Sequence, residues 1–233
     1  MCCGDSGTVS GDVSRETPPP PVEAVEVFSD SLPLAVRLAD LLCGPGVERG
    51  LLGPREADRI WSRHLLNCAV ATDGVETDSS VADVGSGAGL PGLVWAIRRP
   101  DVRVTLIEPL LRRTEFLSES VRSLGLEDRV TVVRARAEDA GGIGSFDVVT
   151  SRAVAPLRRL VPWSAPLCRT RGVIAAMKGR SATDEVSASE RVIGRVSSER
   201  PVVRTYGSDV LAEPTTVVEI VVDRQGKGEN DGD

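Results

Sequence analysis

The chain of 233 residues is long enough for one domain with a core of its own, and 41% of its residues are hydrophobic. A net charge of −6 argues against a generally basic nucleic-acid binder but leaves room for a local basic face. No apolar run approaches the about 20 residues of a membrane span, no secretory signal is visible, and the five cysteines have neither metal-ligand nor disulfide spacing. We therefore expect a cytoplasmic protein without a metal site.

Both ends of the chain differ in composition from its body. Residues 1–21 are rich in Gly, Ser and Thr and end in four prolines, and residues 223–233 are mostly polar. Such segments cannot bury enough apolar surface to become ordered, so both are predicted to be disordered tails. A single domain is predicted over residues 22–222, with helices in 22–79 and an alternating α/β core in 80–222.

The spacing of apolar residues predicts two N-terminal amphipathic helices, over residues 25–43 and 54–71. From residue 80 onward, short apolar runs typical of strands alternate with helical stretches. This alternation indicates a Rossmann-like α/β fold with a doubly wound, mostly parallel seven-stranded sheet, whose last two strands pair antiparallel at one edge. In chain order the predicted strands are 80–84, 103–107, 129–133, 146–150, 172–178, about 195–205 and 215–222, and the helices among them are 91–99, 110–124, 154–166 and about 183–194.

A glycine-rich loop follows the first predicted strand. Residues 87–92 spell G-x-G-x-x-G, which by itself is a weak signal for a dinucleotide site. In open parallel sheets, ligands bind outside the carboxyl ends of the strands. Glycines there permit positive φ angles and close approach of a ligand to the backbone. The loop from Gly85 to Gly92, including Gly87, is therefore predicted to border the ligand crevice.

The acidic residues at the strand ends favour a methyl donor over a dinucleotide. Asp83 stands just before the first glycine, where a carboxylate would oppose the pyrophosphate of NAD or FAD. S-adenosylmethionine has no phosphate and carries an ammonium and a sulfonium. Glu108 ends the second strand and is predicted to accept hydrogen bonds from both ribose hydroxyls, a role that fits either cofactor. Glu138 and Asp139 follow the third strand, near the expected position of the adenine.

Each acid also has a purely structural interpretation. Asp83 would then only cap the next turn, and Glu108 would be a solvated carboxylate paired with Arg112 at i+4 spacing. Glu138 and Asp139 would form an exposed acidic turn. These alternatives are kept open at this point.

Longer stretches resemble one methyltransferase family. The segments DVGSGAGLPG, LIEPLLRRTEFL, RARAED, SRAVAPL and MKG, preceded by GLLGPREADRIWSRHLLNCAV, are similar to the ribosomal RNA small subunit methyltransferase G family, also called glucose-inhibited division protein B. The resemblance covers about residues 25 to 222, and the Arg- and Ala-rich composition resembles actinobacterial members. One departure is Val94-Trp95, in a helix where relatives often carry proline and smaller residues; Trp95 is not expected to reach the cofactor.

This resemblance implies a class I S-adenosylmethionine-dependent methyltransferase. Its implied reaction is methyl transfer to N7 of a guanosine in the decoding region of 16S rRNA. By motif position, Gly85 and Leu90 would contact the cofactor, and Ala137 and Glu138 would bracket the adenine. Together with Asp83, Gly87, Glu108 and Arg152, these residues are the candidate cofactor-binding set.

Arg152 and Lys178 are the candidate catalytic residues. By motif position, Arg152 would end the fourth strand and face the methionine end of the cofactor and the target base. Lys178 ends the fifth strand and is the only lysine in the predicted domain. A compact ammonium fits where a planar guanidinium would not, although drift in composition explains a lone lysine equally well.

RNA contact is expected from arginines above the sheet. Arg55, Arg59 and Arg63 recur at spacing four on one predicted helix, and Arg112 and Arg113 lie next to each other. Like charges at this spacing repel unless an anion lies between them, so the row indicates either phosphate contacts or a solvated face. The one histidine, His64, lies on the apolar face of the same helix and is therefore predicted to be structural. The implied reaction needs no base, because guanine N7 carries its own lone pair.

Three rival functions remain at this point. A nicotinamide oxidoreductase would use the glycine loop but would not place an acid at position 83. A methyltransferase acting on a small molecule or another RNA has the same fold, but it does not account for the arginine row or for the family signature in the N-terminal helices. A non-enzymatic binding module would not need an intact glycine loop with both Asp83 and Glu108.

Overall fold

The computed structural model describes residues 17–223. Residues 1–16 and 224–233, which make up most of the two predicted tails, lie outside the described residues. Within the predicted N-terminal tail, the carbonyl of Pro18 accepts a hydrogen bond of 2.8 Å from Nε1 of Trp61. Across the described range, no helix combines the length and apolar character needed to cross a membrane.

A seven-stranded sheet forms the centre of the molecule, in the order β3-β2-β1-β4-β5-β7-β6. Strands β1 to β5 are parallel, and β7 runs antiparallel to both β5 and β6. This confirms the predicted α/β class and the antiparallel edge. The strands are β1 (Ser80–Val84), β2 (Arg103–Ile107), β3 (Val130–Val133), β4 (Phe146–Arg152), β5 (Cys168–Lys178), β6 (Val202–Tyr206) and β7 (Thr215–Val222).

The strand order reverses between β1 and β4. From β1 the chain moves outward through β2 to β3, and it then returns to the other side of β1 as β4. At such a switch point the connections leave the sheet in opposite directions, so a crevice opens beyond the carboxyl ends of the strands. The glycine loop follows β1 at this crevice.

The helices are shorter and more irregular than predicted. The stretch predicted as one helix over 25–43 is interrupted at Ser29, whose φ of 44° is not helical. In the second predicted helix, residues 54–56 form turns, Ala57–Arg59 a 3₁₀ turn and Ile60–Leu66 a π-helix. The α-helices are α1 (Val22–Phe28), α2 (Leu32–Leu41), α3 (Asn67–Val70), α4 (Gly92–Arg98), α5 (Leu111–Leu124), α6 (Leu157–Ser164), α7 (Ala182–Ser187) and α8 (Glu190–Val196).

The prediction was also wrong at two later places. The stretch near 183–194 forms two helices, α7 and α8, instead of one. The strand predicted from about residue 195 begins only at Val202, because α8 continues to Val196, whose side chain is buried against the sheet. Tertiary packing here overrides the β propensity of the local sequence.

Each face of the sheet carries its own hydrophobic layer because side chains alternate along a strand. Val81 of β1 packs in the layer formed with the N-terminal helices, α4 and α5, whereas its neighbour Ala82 packs with α6, α7 and α8. In the first layer Trp95 is almost completely buried and donates a hydrogen bond of 3.0 Å to the carbonyl of Cys68. The N-terminal helices therefore share one core with the sheet.

Candidate functional site

Two cavities open at the carboxyl ends of the strands. The first, here called the loop cavity, measures about 570 Å³ and is lined by the glycine loop, Glu108, Ala137 and Glu138. The second, here called the arginine cavity, measures about 910 Å³ and is lined by residues that include Arg59, Arg63 and Lys178. Arg152, Ala153 and Val154 line both cavities and form their shared edge.

The glycine loop is held against the end of β2. The N–H groups of Gly85 and Ser86 both donate to the carbonyl of Ile107, at 2.8 and 3.1 Å. Gly85, Gly87 and Gly89 have φ angles of 72°, 58° and 92°, which favour glycine. At Gly87 a Cβ atom would meet nothing closer than the carbonyl oxygen of Gly85 at 3.8 Å. A side chain at this position would therefore take up space in the loop cavity.

Glu108 is buried and uses both carboxylate oxygens to shape the loop cavity. Its Oε2 accepts from the N–H of Gly87 and its Oε1 from the N–H of Leu110, both at 3.0 Å. Its ion-pair partner is Arg113, with Nη1 and Oε2 at 3.7 Å, so the alternative of a solvated acid paired with Arg112 is wrong. A carboxylate has about four lone-pair positions, so two acceptor positions stay free for hydroxyl groups in the cavity.

Asp83 does not face the loop cavity, contrary to the expectation that its carboxylate meets the ligand. It is completely buried below the loop, where Oδ2 accepts a hydrogen bond of 3.0 Å from the N–H of Gly92. Oδ1 has no partner among the described residues. Burial raises the pKa of Asp83 to about 7, against the lowering effect of the Gly92 N–H. The side chain therefore supports the loop and the start of α4.

The physical reason is the alternation of side chains along β1. Successive residues point to opposite faces, and Val81 and Asp83 share the face that α4 covers. The side chain of a residue that is still within a strand points into one face of the sheet and does not point toward the carboxyl end of the strand. The turn begins only at Gly85, after the strand has ended.

Of the two acids predicted near the adenine, Glu138 and Asp139, only Glu138 lines the loop cavity. Ala137 and Glu138 both line the loop cavity, and Asp139 does not. Leu90 also lines it, at the far end of the glycine loop. Of the candidate cofactor-binding set, Gly85, Gly87, Leu90, Glu108, Ala137, Glu138 and Arg152 border the loop cavity, and Asp83 alone lies beneath it.

Arg152 is held by residues that the sequence did not connect with it. Its Nη2 donates to Nδ1 of His64 at 2.8 Å, and its Nη1 contacts Sγ of Cys68 at 3.1 Å. The other ring nitrogen of His64, Nε2, is 2.8 Å from Oε2 of Glu56. His64 thus has protein partners at both ring nitrogens, borders the loop cavity and joins the N-terminal segment to the end of β4. No local signal marks this connection, since 88 positions separate His64 from Arg152.

The predicted arginine row is divided by the fold. Arg59 and Arg63 line the arginine cavity, but Arg55 lies in the turn that precedes the 3₁₀ segment and does not line it. The expectation of three arginines on one α-helix is therefore wrong. Nε of Arg63 is 3.4 Å from Oε2 of Glu56, the carboxylate that also contacts His64.

Lys178 lines the arginine cavity, and its ammonium already has protein partners. Nζ donates to the carbonyl of Ala155 at 2.8 Å and forms an ion pair of 2.9 Å with Glu185. Lys178 thus ties the segment after β4 to α7. Ala153, at the start of that segment, has a φ of 55°, a value that is uncommon for residues other than glycine.

The residues of the loop cavity fit S-adenosylmethionine. Gly87 leaves space that a side chain would fill, and Glu108 retains acceptor positions for ribose hydroxyls. Most N–H groups of the loop, which would hold a pyrophosphate, are already bonded within the protein, to Ile107, Ser86, Glu108 and Asp83. Across residues 17–223, no group of three or more His, Cys, Asp or Glu side chains is arranged to hold a metal ion.

Comparison with known proteins gives consistent results at the level of sequence. A family model described as rRNA small subunit methyltransferase G matches residues 31–207. The chain is similar to the protein named ribosomal RNA small subunit methyltransferase G of Nocardioides sp., with 54% identity covering 91% of this chain and 85% of the relative. It is also similar to the protein of the same name from Mycolicibacterium gilvum, with 52% identity over 87% and 90% of the two chains.

Solved structures share the fold at low sequence identity. A predicted O-methyltransferase from Agrobacterium tumefaciens is 18% identical, with a TM-score of 0.51, and the match covers 68% of this chain and 81% of that chain. The Pyrococcus horikoshii protein TYW2, solved in complex with MeSAdo, is 16% identical, with a TM-score of 0.51 and coverages of 69% and 63%. Both likenesses concern the fold alone.

Proposed function

The chain belongs to the rRNA small subunit methyltransferase G family, and on this premise we propose that it transfers a methyl group to N7 of a guanosine in the decoding region of 16S rRNA. It is an S-adenosylmethionine-dependent methyltransferase of rRNA. The observation that supports the proposed reaction best is the pair of cavities that meet at Arg152, Ala153 and Val154. One cavity suits the methyl donor, and the other is larger and includes three arginines and three glutamates in its lining.

In this proposal, the loop cavity binds and orients the donor. Gly87 leaves space for its backbone approach, and the carboxylate of Glu108 accepts hydrogen bonds from ribose hydroxyls. Ala137 and Glu138 lie beside the adenine. Asp83 acts indirectly, since it holds Gly92 and with it the shape of the loop. When bound, S-adenosylmethionine supplies a methyl group activated by its positively charged sulfur.

The arginine cavity receives the target nucleotide. Arg59 and Arg63 offer guanidinium groups to phosphates at its lining. Base edges inside a folded RNA helix are poorly accessible to side chains, so the guanosine must lie in a loop or swing out of its stack to enter. Val154, exposed at the shared edge, lies beside the place where the base and the donor would meet.

The chemistry requires alignment more than proton transfer. Guanine N7 has an in-plane lone pair, so no proton has to be removed before it attacks the methyl carbon. His64 is unsuited to act as a base, because both ring nitrogens have partners and burial and the charge of Arg152 lower its pKa to about 4. Catalysis then depends on holding N7, the methyl carbon and sulfur in line.

The direct test is the position of the modification. Mass spectrometry should be applied to 16S rRNA from cells with and without this gene. One guanosine of the decoding region should be 7-methylguanosine in cells with the gene and unmodified in cells without it. Purified protein with S-adenosylmethionine should restore the mark on 16S rRNA, or on small-subunit particles, taken from the deletion strain. A different modified atom, or an unchanged rRNA, would refute the proposed reaction. Since the substrate is rRNA, we place the protein's action in the cytoplasm.

A further inference from the structure

A buried histidine lies between a carboxylate and the arginine at the shared edge of the two cavities. His64 is only 6% exposed, with Nε2 at 2.8 Å from Oε2 of Glu56 and Nδ1 at 2.8 Å from Nη2 of Arg152. Glu56 comes from the segment before the 3₁₀ turn, His64 from the π-helix and Arg152 from the end of β4. The three side chains form a continuous hydrogen-bonded chain from the N-terminal segment to the site.

The partners determine which nitrogen of His64 carries the proton. A guanidinium has donors only, so Nδ1 must present a lone pair to Arg152. The hydrogen of the neutral ring is therefore on Nε2, where it donates to the carboxylate of Glu56. Protonation of Nδ1 would set two positive groups against each other, and burial together with the charge of Arg152 accordingly lowers the pKa of His64 to about 4. The imidazole is neutral and has one orientation.

Arg152 needs such support because of its location. An arginine at the edge of an open cavity has many rotamers, and ordering it costs side-chain entropy. His64 and Cys68 hold its Nη2 and Nη1, so this ordering is complete before any ligand binds. Arg152 directly precedes Ala153, whose backbone has a positive φ at the shared edge.

We propose that His64 is a positioning residue for methyl transfer: its neutral imidazole, oriented by Glu56, holds the guanidinium of Arg152 at the junction of the donor and target cavities. The effect on the reaction rests on the proposed function. The arrangement of the three side chains does not. Two experiments therefore address them separately.

The first experiment uses the fact that the chain has one histidine. Protein labelled with ¹⁵N-histidine and prepared without a polyhistidine tag gives ring signals from His64 alone. We expect a pyridine-type signal for Nδ1 and a pyrrole-type signal for Nε2 near neutral pH. In the Arg152→Ala variant Glu56 still holds Nε2–H, but the Nδ1 signal should shift because its hydrogen-bond donor is lost, and the imidazole should titrate at a higher pH. A pyrrole-type Nδ1 in the wild-type protein, or an Nδ1 signal and a titration unaffected by loss of Arg152, would overturn the proposal.

The second experiment is a double-mutant cycle on methyl transfer to 16S rRNA. His64→Ala should lower kcat on the order of 10- to 100-fold, as small misplacements at a reacting centre do. In an Arg152→Ala background the same change should have little further effect, because the two residues act through one contact. Equal losses of kcat in both backgrounds would refute a role through Arg152.

Two further variants separate positioning from packing. The amide oxygen of His64→Asn replaces the acceptor at Nδ1, so this variant should recover part of the kcat lost in His64→Ala. His64→Leu fills the space without an acceptor and should not recover it. Recovery by Leu as large as by Asn would mean that only packing matters. If wild-type protein leaves guanosine N7 unmodified, the proposed function fails, while the tautomer measurement still decides the arrangement.

Discussion

Gly87 and Gly125 have similar backbone conformations in very different surroundings. Their φ angles are 58° and 68°, and a Cβ atom would meet no close neighbour at either residue. Gly87 lines the loop cavity, whereas Gly125 ends α5 far from it in the fold. An alanine would be strained by the positive φ at either residue, but only at Gly87 would its methyl group face the site. Gly125 is therefore a matched control for Gly87.

Gly87→Ala and Gly125→Ala should each lower the free energy of unfolding by about 1–2 kcal/mol, the cost of a left-handed conformation for alanine. Only Gly87→Ala should weaken S-adenosylmethionine binding, because its methyl group enters the loop cavity. Urea denaturation and calorimetry measure the two effects. Equal cofactor affinity in both variants would remove Gly87 from the binding surface.

Asp83 should make stability depend on pH. Burial raises its pKa from 3.8 to about 7, so between these values the native state holds a proton that the unfolded chain releases. The free energy of unfolding should therefore fall as pH rises through this window and level off above it. His64 has the opposite effect, because its pKa is lowered from 6.5 to about 4. Between these two values the unfolded chain holds a proton that the native state lacks, so His64 makes the free energy of unfolding rise with pH.

A comparison with Asp83→Asn isolates this contribution, because His64 is the same in both proteins. The wild type should lose stability relative to the variant between about pH 5 and about pH 8, by an amount on the order of a few kcal/mol. Urea denaturation of both proteins at these two pH values measures the change in the free energy of unfolding. A difference between the two proteins that does not change with pH would show that Asp83 is ionised throughout.

Lys178 should affect transfer more than binding. Its ammonium joins Ala155 to Glu185, so Lys178→Ala should loosen the segment after β4, keep S-adenosylmethionine affinity and lose most methyl transfer to rRNA. Lys178→Arg should retain only part of the methyl transfer that Lys178→Ala loses, because a planar guanidinium does not reproduce a compact donor at the Ala155 carbonyl. Single-turnover methylation and calorimetry measure the two effects. Full activity of the Ala variant would remove Lys178 from the site.

At the scale of the elements, the N-terminal segment shapes the target side of the site. The 3₁₀ turn and the π-helix that follow residue 56 place Arg59 and Arg63 at the arginine cavity and leave Arg55 outside it. Arg55 and Arg59 are four residues apart, but the turn and the 3₁₀ segment between them do not give the i, i+4 geometry of an α-helix. Irregular helical geometry, and not the spacing in the sequence, decides which arginines border the cavity.

This division predicts a difference in the salt dependence of RNA binding. Each phosphate contact adds about 0.7 to 0.9 to the slope of log affinity against log salt. Changing both Arg59 and Arg63 to Gln should lower that slope by about 1 to 2, whereas Arg55→Gln should lower it less. Filter binding of 16S rRNA over a salt series measures the slope. An unchanged slope in the double variant would assign both arginines to a solvated face.

At the scale of the whole molecule, hydrogen bonds connect the lining of the loop cavity directly to the hydrophobic core. The glycine loop is bonded to the end of β2, and Asp83 bonds the start of α4 from within the core. A ligand that fills the loop cavity therefore stabilises the folded domain as a unit, by RT ln(1 + [L]/Kd).

S-adenosylmethionine and S-adenosylhomocysteine should each raise the free energy of unfolding by about 2.7 kcal/mol at one hundred times their Kd. NAD and FAD should not, because most N–H groups of the loop, which would bind a pyrophosphate, are already bonded to acceptors within the protein. Thermal unfolding with each ligand measures the shift. A comparable rise in Tm with NAD would contradict the assignment of the cavity.

The sequence alone determined the order of strands and helices from residue 80 to the end of β5, and the location of the cofactor loop. Apolar periodicity depends on neighbouring residues, and the glycine loop and Glu108 lie where strands end, so local rules identify them. The resemblance in the motifs also identified the family, because those motifs are contiguous.

Only the tertiary structure decided where the side chains point and which distant groups meet. Asp83 lies beneath the loop because the alternation along β1 turns it toward α4, and that direction depends on which face α4 covers. The contacts of Arg152 with His64, and of Lys178 with Ala155, join residues far apart in the chain. Such contacts arise from the packing of whole elements against the sheet, and no local pattern of residue types contains that information.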